Sequence, residues 1–427
     1  YCRPIIRKIF QNAIEMGSLP ERSFRRFFQG VNIMSTLSLL LIPAMITSAV
    51  DEDFFPILAW GGAPGDLDTL KEMAECGITV AGFVVPEHLD LVEQAGLKAF
   101  VRDARASGYD FRNVDIDKVS ANVVSLTQEV GSHPAVFGYY LRDEPSADMF
   151  PGLAAVSKAF LTATPERIPY INLFPNYANQ QQLGTETYEE HVEIYVTSVD
   201  PPIISYDHYA LMEYEPLRKG YFANLETMRR ASLKYKRPFW NIVLSNAHFR
   251  YREPSAADIR FQIFTTLAYG GKGISYFTYF APHSGNYRMA PIDQFGSRTP
   301  TWYYLQNVNL MVQKLAPTLL KLTSTGVYHV GDVPEGCMTL PGNTLVSAVH
   351  GSTDFLVGEF IHSDGFKYVM LVNKDFYSST NFRLELSNPD ARLQRVSPYT
   401  GQMYNLAGEN DWLAPGQGVL LRVMPGD

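Results

Sequence analysis

Short apolar runs rich in β-branched and aromatic residues recur along the chain, separated by helix-like segments. Eight such runs are FFPILAWGG (54–62), ITVAGFVVP (78–86), LKAFVRD (97–103), VFGYYLRDEP (136–145), IPYINLFPN (168–176), PIISYDHYA (202–210), RPFWNIVLSNA (237–247) and GISYFTYFAP (273–282). Near-continuous apolar runs are typical of parallel strands that helices cover on both faces. One intervening segment, DLDTLKEMAECG, offers Asp66 or Asp68 as helix N-cap and Gly77 as C-cap. The pattern therefore predicts eight β-α units.

Eight β-α units in about 265 residues match the usual length of a (β/α)8 barrel. A doubly wound open sheet is the alternative, but no glycine-rich phosphate-binding turn follows the first strand. We therefore predict an α/β fold with a (β/α)8 TIM barrel over residues 50–322.

The alternation of strands and helices stops near residue 325. FLVGEFIHSDGFKYVMLVNKDF contains two alternating strands across HSDG, which predicts a hairpin. NFRLELSN, LQRVSPYTG and GVLLRVMP add further short strands without a helix. We expect a small antiparallel β-sandwich domain over residues 323–427, joined to the barrel through LAPTLLKLTSTG (315–326).

Residues 1–49 resemble a leader segment. A basic stretch, ERSFRRFF, precedes the apolar run MSTLSLLLIPAMITSA, which ends in the small residues of 47–49. This arrangement is typical of a secretory signal peptide that starts at Met34. The run is short for a membrane span, which needs about 20 apolar residues. We expect a secreted or periplasmic protein with no membrane span after leader removal; a short amphipathic helix is the alternative.

Composition excludes several classes of protein. The net charge is -8 and there is no basic block, so nucleic acid is an unsuitable partner. The sequence contains no HExxH, paired CxxC, GxSxG or Walker motif, and we expect no metal and no cofactor. Cys76 and Cys337 fall in different predicted domains, so we expect both to be free and buried. The 25 Tyr and 26 Phe suit a pocket for carbohydrate, although a large core also uses them.

The carboxyl ends of the barrel strands are where active-site side chains gather. Lysine is rare there, although a merely solvated rim would use it freely, and this favours a functional site. The polar and aromatic residues at these ends are Trp60, Arg102, Asp103, Arg142, Asp143, Glu144, Asn172, Asn176, Asp207, His208, Tyr209, Asn246, His248, Tyr276, Tyr279 and His283.

Two carboxyl groups across an aromatic pocket, without a cofactor motif, indicate glycoside cleavage. That reaction needs a protonated acid for the leaving oxygen and a second carboxylate as nucleophile or base. Glu144 is the predicted acid, because Asp143 and the apolar strand before it should both raise its pKa. We expect Pro145 to hold Glu144 in extended backbone and so fix the direction of its carboxyl.

The segments HPAVFGYYLRDEP, PFW at strand seven and RFQIFTTLAYGGKGISYFTYF before strand eight resemble the clan A glycoside hydrolases. The resemblance is to the family 42 β-galactosidase type and its uncharacterised bacterial relatives, and it covers roughly residues 54–320 and the trailing β-domain. Strand four of that clan ends in Asn-Glu. The resemblance therefore implies that Glu144 is the acid/base and that Asp143 takes the place of the Asn beside the scissile bond.

The chain departs from the clan at strand seven, where the clan places its nucleophilic Glu. FWNIVLSNAHF contains no carboxylate. Asp207 is our first candidate for the second catalytic carboxylate, Glu253 is the second, and Glu213 and Glu215 follow.

The leading hypothesis is a glycoside hydrolase of poly- or oligosaccharides with the catalytic pair Glu144 and Asp207. The expected substrate-binding residues are Trp60, Arg142, Asp143, Asn172, His208, Tyr209, Asn246, His248 and Tyr279. One alternative is an inactive carbohydrate-binding barrel, which would lack a second acid within about 10 Å of Glu144. Another is a barrel lyase with His208 or His248 as base, which would place a histidine opposite Glu144.

Overall fold

The computed structural model describes residues 53–215, 217–406 and 411–426. The predicted leader, residues 1–49, lies outside this described part of the chain. Within it, no helix is both long enough and apolar enough to cross a membrane.

Eight parallel strands form a closed barrel in which β8 pairs with β1. The strands are β1 (Ile57–Ala59), β2 (Val80–Val84), β3 (Lys98–Val101), β4 (Val136–Asp143), β5 (Ile168–Leu173), β6 (Ile204–Asp207), β7 (Phe239–Leu244) and β8 (Gly273–Phe277). Each lies inside one of the eight predicted apolar runs. The predicted (β/α)8 barrel is confirmed.

The helices lie between and after these strands. They are α1 (Leu67–Glu75), α2 (Leu89–Gln94), α3 (Ala104–Ser107), α4 (Ile116–Val130), α5 (Phe150–Ala163), α6 (Gln180–Leu183), α7 (Tyr188–Val199), α8 (Tyr221–Tyr235), α9 (Ala256–Ala268) and α10 (Pro300–Leu319). Asp66 is the N-cap of α1, since its carboxylate accepts from the backbone N–H of Thr69 at 2.9 Å. Gly77 follows the C-cap, Cys76, with a φ of 79° that favours glycine.

Aromatic rings fill the interior of the barrel. Phe100 stacks on Tyr170 with 4.5 Å between ring centroids, and Phe137 stacks on Trp240 at 6.0 Å. These rings pack with aliphatic side chains such as Leu58 into one buried cluster. Because the interior is packed in this way, a ligand can reach the barrel only at its mouth, the end formed by the carboxyl ends of the eight strands.

The C-terminal part of the chain forms two antiparallel sheets. Their strands are β9 (Leu322–Val330), β10 (Val346–Gly351), β11 (Phe355–His362), β12 (Lys367–Asn373), β13 (Thr380–Leu386), β14 (Arg392–Val396), β15 (Met403–Asn405), β16 (Trp412–Leu413) and β17 (Gly418–Met424). The larger sheet has the order β15-β14-β17-β12-β11-β9, and the smaller has β10-β13-β16. Side chains of both sheets, among them Val357 and Phe382, share one apolar core. The β11–β12 pair is the predicted hairpin.

The other face of the larger sheet packs on α9 of the barrel. Leu356, Phe360 and Met370 belong to the same buried cluster as the outer helices of the barrel. Gly358 lies so close to α9 that an added Cβ would stand 2.2 Å from the carbonyl oxygen of Ala268.

The two cysteines of the described residues are both free, as predicted. Cys76 is buried, but Cys337 is only partly buried, so the expectation of burial is wrong for Cys337. Cys337 lies in the loop between β9 and β10.

We predict that Gly358→Ala lowers the free energy of unfolding by about 1–3 kcal/mol, because its methyl group would overpack the contact between β11 and α9. Urea denaturation monitored by circular dichroism measures the effect. Gly62→Ala is the control, since an added Cβ there meets no heavy atom closer than 3.8 Å. Equal stability of the two variants would contradict the close packing of sheet and helix.

Candidate active site

A register shift near the end of β4 decides which side chains face the barrel interior. Tyr140 pairs with Tyr170 on β5, but the next pair is Arg142 with Ile171, so Leu141 is an extra residue. Tyr170 belongs to the interior cluster, whereas Ile171 packs against the outer helices. A bulge of this kind moves the alternation of side chains by one residue.

Asp143 lies on the inner face because of this bulge. It pairs with Asn172, and paired residues of parallel strands share a face of the sheet. Arg142 instead shares the outer face and is exposed. The structure thus separates two predicted substrate-binding residues. The Arg142 charge still favours the ionised form of Asp143 and opposes the rise of its pKa.

Glu144 follows β4 with a φ of 43°, in the left-handed region that few non-glycine residues adopt. Its backbone N–H donates to the carbonyl oxygen of Asn172 at 2.8 Å, which holds the turn. The expectation that Pro145 keeps Glu144 extended is wrong, because the chain leaves β4 through this turn. A non-glycine residue held there costs about 1–3 kcal/mol, and such strain is concentrated at functional sites.

The Asn172 side chain bridges two carboxyl groups. Its Nδ2 donates to Oδ1 of Asp143 at 3.1 Å and to Oδ1 of Asp207 at 2.9 Å. Its Oδ1 accepts from the hydroxyl of Ser205 at 3.0 Å, and that hydroxyl meets the phenol of Tyr170 at 2.8 Å. Asn172 is fully buried. It therefore positions the carboxyls, and both of its N–H donors are used within the protein.

Asp207 ends β6 and is 3% exposed. Its carboxyl is a hydrogen-bond partner of the Glu144 carboxyl. Burial, and then the negative charges of Glu144 and Asp143, raise the pKa of Asp207 well above its usual range. Ionisation of Glu144 therefore opposes ionisation of Asp207.

Glu144 remains the more accessible member of this pair. Burial raises its pKa to about 7, and the charge of Asp143 contributes to the rise. Burial likewise raises the pKa of Asp143. A carboxyl that keeps its proton close to neutral pH can act as a general acid.

One side of the barrel mouth is an aromatic wall. Trp60, which follows β1, meets Phe83 edge-on at 4.9 Å and Tyr140 at 6.4 Å. Phe83 and Tyr140 are 4.2 Å apart. Burial, followed by the charge of Asp143, raises the pKa of Tyr140 to about 12, so this wall adjoins the carboxyls.

A second aromatic group lies at the ends of β6, β7 and β8. Tyr209 packs against Tyr251 at 5.7 Å and Phe277 at 5.1 Å, and His248 stacks on Tyr287 at 5.0 Å. Burial and the charge of the nearby carboxyls, with Asp207 the largest of these, raise the pKa of Tyr209 far above its usual range. The predicted residues Tyr209 and His248 thus belong to one aromatic surface, and Tyr209 lies close to the carboxyls.

Both predicted histidines are neutral at physiological pH. Burial lowers the pKa of His208 to about 3 and that of His248 to about 4. His208 is fully buried and its Nδ1 meets Oδ1 of Asn224 at 3.1 Å. Nδ1 of His248 meets Oδ1 of Asn246, whose Nδ2 donates to Thr278. His208 and Asn246 therefore hold the loops in place.

Tyr279 lies on a different side of β8 from the carboxyls. Its phenol accepts from Nε1 of Trp302 at 2.8 Å, and it is buried against α10. Tyr276 also faces α10, where its hydroxyl donates to Asn309 at 2.6 Å. Both tyrosines are part of the packing between β8 and its helix, which corrects the substrate-binding prediction for Tyr279.

Glu213 and Glu253, two other candidates for the second catalytic carboxylate, lie at the rim of the barrel mouth. Arg288 donates to Glu213 at 2.7 Å and to Glu253 at 3.0 Å, which joins three loops after β6, β7 and β8. Neither carboxylate contributes to the pKa of Glu144. Asp207 is therefore the candidate that the fold brings to Glu144.

Sequence reasoning missed an aromatic and cationic group beside this cluster. Arg218 lies over the ring of Tyr177 at 3.9 Å and over that of Tyr251 at 5.3 Å. Burial, and then the charge of Asp207, raises the pKa of Tyr177, so the group adjoins the carboxyls. These residues lie in loops, where side-chain periodicity gives no signal. Tyr140, by contrast, stands in the apolar run before Asp143 and could have been inferred.

A depression of about 560 Å³ lies in the loop after β5. Amide side chains line much of it, among them Asn176, Asn179 and Gln180. The loop contacts the segment after Glu144, since an added Cβ on Gly184 would stand 2.5 Å from the hydroxyl of Ser146. Amide groups of this kind suit the hydroxyl groups of a saccharide.

No protein-family model matches this sequence, and no curated protein matches it significantly. Solved structures match its fold. A protein described as a glycoside hydrolase is 11% identical, with a TM-score of 0.55 over 87% of this chain and 92% of that one. A family 5 glycoside hydrolase from Bacteroides vulgatus is 10% identical, with a TM-score of 0.55 over 87% and 89%.

A family 42 β-galactosidase from G. stearothermophilus, solved as a catalytic mutant, is 8% identical, with a TM-score of 0.57 over 88% of this chain and 99% of that one. At these identities the likeness concerns the fold. The barrel with its C-terminal β-domain is thus an architecture that glycoside hydrolases also have.

We predict that Glu144→Gln gains stability relative to the wild type by about 1–2 kcal/mol as the pH rises from 5 to 8, after allowance for solvent screening. The pKa of Glu144 is raised to about 7 in the folded protein. The folded state therefore binds this proton more tightly than the unfolded state, and wild-type stability falls as the pH rises through 7. Urea denaturation at both pH values tests the difference. Glu335→Gln, at an exposed loop position, is the control, and an equal gain there would refute the prediction.

Proposed function

We propose that this chain is a glycoside hydrolase that cleaves O-glycosidic bonds of a poly- or oligosaccharide, with Glu144 as the proton donor. The observation that carries the proposal is a carboxyl with a pKa of about 7 at the mouth of a closed (β/α)8 barrel. Such a group is protonated near neutral pH and can give its proton to a leaving oxygen. Trp60 and Tyr140, which are only partly buried, offer apolar faces for sugar rings, and the buried ring of Phe83 supports both.

In this proposal Asp207 does not contact the sugar itself but acts on the Glu144 carboxyl. The two carboxyls are hydrogen-bonded, whereas a retaining pair stands about 5–5.5 Å apart and an inverting pair about 6.5–9.5 Å apart. A sugar carbon does not fit between groups in direct contact. Asp207 therefore positions the Glu144 carboxyl, although its hydrogen bond opposes the rise of the Glu144 pKa that burial causes.

The family 42 type is the relationship that we propose within the glycoside hydrolases. Its support is the LRDEP segment at the end of β4 together with the shared architecture. The missing carboxylate after β7 sets this chain apart from that type. We also propose secretion or a periplasmic location, from the sequence pattern of residues 1–49 alone.

The two alternative functions make requirements that this site does not meet. An inactive binding barrel was expected to lack a second acid near Glu144, but Asp207 is in contact with it. A lyase was expected to place a histidine opposite Glu144. Instead, His208 is hydrogen-bonded to Asn224, and His248 stacks on the ring of Tyr287.

We predict that Glu144→Gln lowers kcat on natural saccharides by about 10²–10⁴-fold, because it removes the transferred proton. Aryl glycosides with very acidic leaving groups should lose less activity, since their leaving oxygen needs little protonation. Steady-state rates on a panel of purified polysaccharides and aryl glycosides measure both effects, with Glu335→Gln as the control. Near-normal rates of Glu144→Gln on polysaccharides would exclude Glu144 as the acid.

A further inference from the structure

The end of β7 supplies no nucleophile for glycoside cleavage. The residues that follow this strand include Ser245 and Asn246, both buried and both hydrogen-bonded to Thr278. His248 is neutral and hydrogen-bonded to Asn246. None of these side chains is a carboxylate, so this side of the mouth cannot supply the second catalytic carboxylate.

Asp207 cannot fill that role either. It is 3% exposed and touches the same carboxyl that would protonate the leaving oxygen. A nucleophile must be ionised and must reach the anomeric carbon from the face opposite the leaving group. Asp207 is almost fully buried and its carboxyl is already hydrogen-bonded to Glu144, so it does not reach the anomeric carbon. With no protein carboxylate free at these positions, the attacking group is water or a group of the substrate.

Asp143 is the carboxyl best placed to assist a nucleophile that belongs to the substrate. The bulge in β4 turns it to the inner face next to Glu144. Burial raises the pKa of Asp143, while the hydrogen bond that Asn172 donates to one of its oxygens and the charge of Arg142 oppose that rise. The carboxylate has acceptor capacity for one more donor, which in a sugar substrate is an O–H or an N–H next to the reacting carbon.

The surroundings of Asp143 also suit an apolar substituent. Burial, and then the charge of Asp143, raises the pKa of Tyr140, so the Tyr140 phenol lies near this carboxyl. The Tyr140 ring lies 4.2 Å from the ring of Phe83, and Phe83 contacts Trp60. An acceptor beside a compact aromatic wall matches a group with one N–H and one methyl. The acetamido group on C2 of an amino sugar has both.

We propose that the substrate is a 2-acetamido-2-deoxy-glycoside whose acetamido carbonyl oxygen is the nucleophile, with Asp143 accepting the hydrogen bond from the acetamido N–H. This inference rests on the proposed function and names its substrate class. In the first step the carbonyl oxygen bonds to C1 while the C1–O bond to the leaving group breaks. The leaving oxygen takes the electron pair of that bond and the proton of Glu144. The Asp143 carboxylate balances the positive charge of the resulting oxazolinium ring.

The second step restores the enzyme. Water attacks C1 and gives a proton to the Glu144 carboxylate. The bond between C1 and the acetamido oxygen breaks, and its electrons return to the acetamido oxygen. Two displacements at C1 leave the product with the configuration of the substrate. Retention is therefore expected without a covalent glycosyl-enzyme.

The test compares aryl 2-acetamido-2-deoxy-glycosides and N-acetylated oligosaccharides with matched substrates that carry a 2-hydroxyl. Wild type should cleave the acetamido substrates with retention, followed by NMR of the first-formed anomer. Replacing the acetyl group by mono-, di- and trifluoroacetyl weakens the carbonyl nucleophile and should lower kcat/KM by on the order of 10²-fold across the series. Asp143→Asn keeps the shape, removes the charge and should lower kcat by about 10²–10³-fold.

The outcomes separate this inference from the proposed function. Glu144-dependent cleavage of 2-hydroxyl substrates alone, insensitivity to fluorination, or inversion at C1 would overturn the inference and leave a glycoside hydrolase. Cleavage of neither substrate set by the wild type would overturn the proposed function as well. If Asp143→Asn is poorly folded, the fluorinated series and the anomer measured with the wild type decide the question without it.

Discussion

One amide group, that of Asn172, holds two carboxyls on the inner face of the barrel, and the geometry of the site depends on it. A buried carboxyl without a partner costs free energy, and three close together repel one another. Asn172 donates to Asp143 and Asp207 and is itself fixed by Ser205. Its backbone carbonyl also accepts from Glu144, so a single residue of β5 orients the ends of β4 and β6.

The arrangement lowers stability as well as raising the pKa values of the carboxyls. Each pKa that burial raises means that the folded state resists ionisation that the unfolded state accepts, so the cluster destabilises the fold as the pH rises. The left-handed backbone of Glu144 adds strain at the same place. The packed interior and the contact of α9 with the β-domain supply the rigidity that maintains the cluster. The packed interior reaches the mouth through Phe83, against which Trp60 and Tyr140 pack, so the core also supports one wall of the site.

The fold could be predicted from the sequence because its signals are local and repeated. Eight apolar runs gave the strands, and the cap at Asp66 was visible in the chain. The orientation of side chains at the end of β4 could not be predicted, since simple alternation places Arg142 and Glu144 on one side. The bulge at Leu141 and the φ of Glu144 break that alternation, and both depend on pairing with β5. Tyr279 was misassigned for a similar reason, because proximity to a strand end does not specify a face.

The charge states of the site limit which groups can move protons near neutral pH. Burial leaves His208 and His248 neutral, and burial also raises the phenol pKa of Tyr209 far from that range. Glu144, with a pKa of about 7, can both give and take a proton there. Glu144 can therefore act as the acid in one step and as the base in the next, provided that Glu144 is not also the nucleophile.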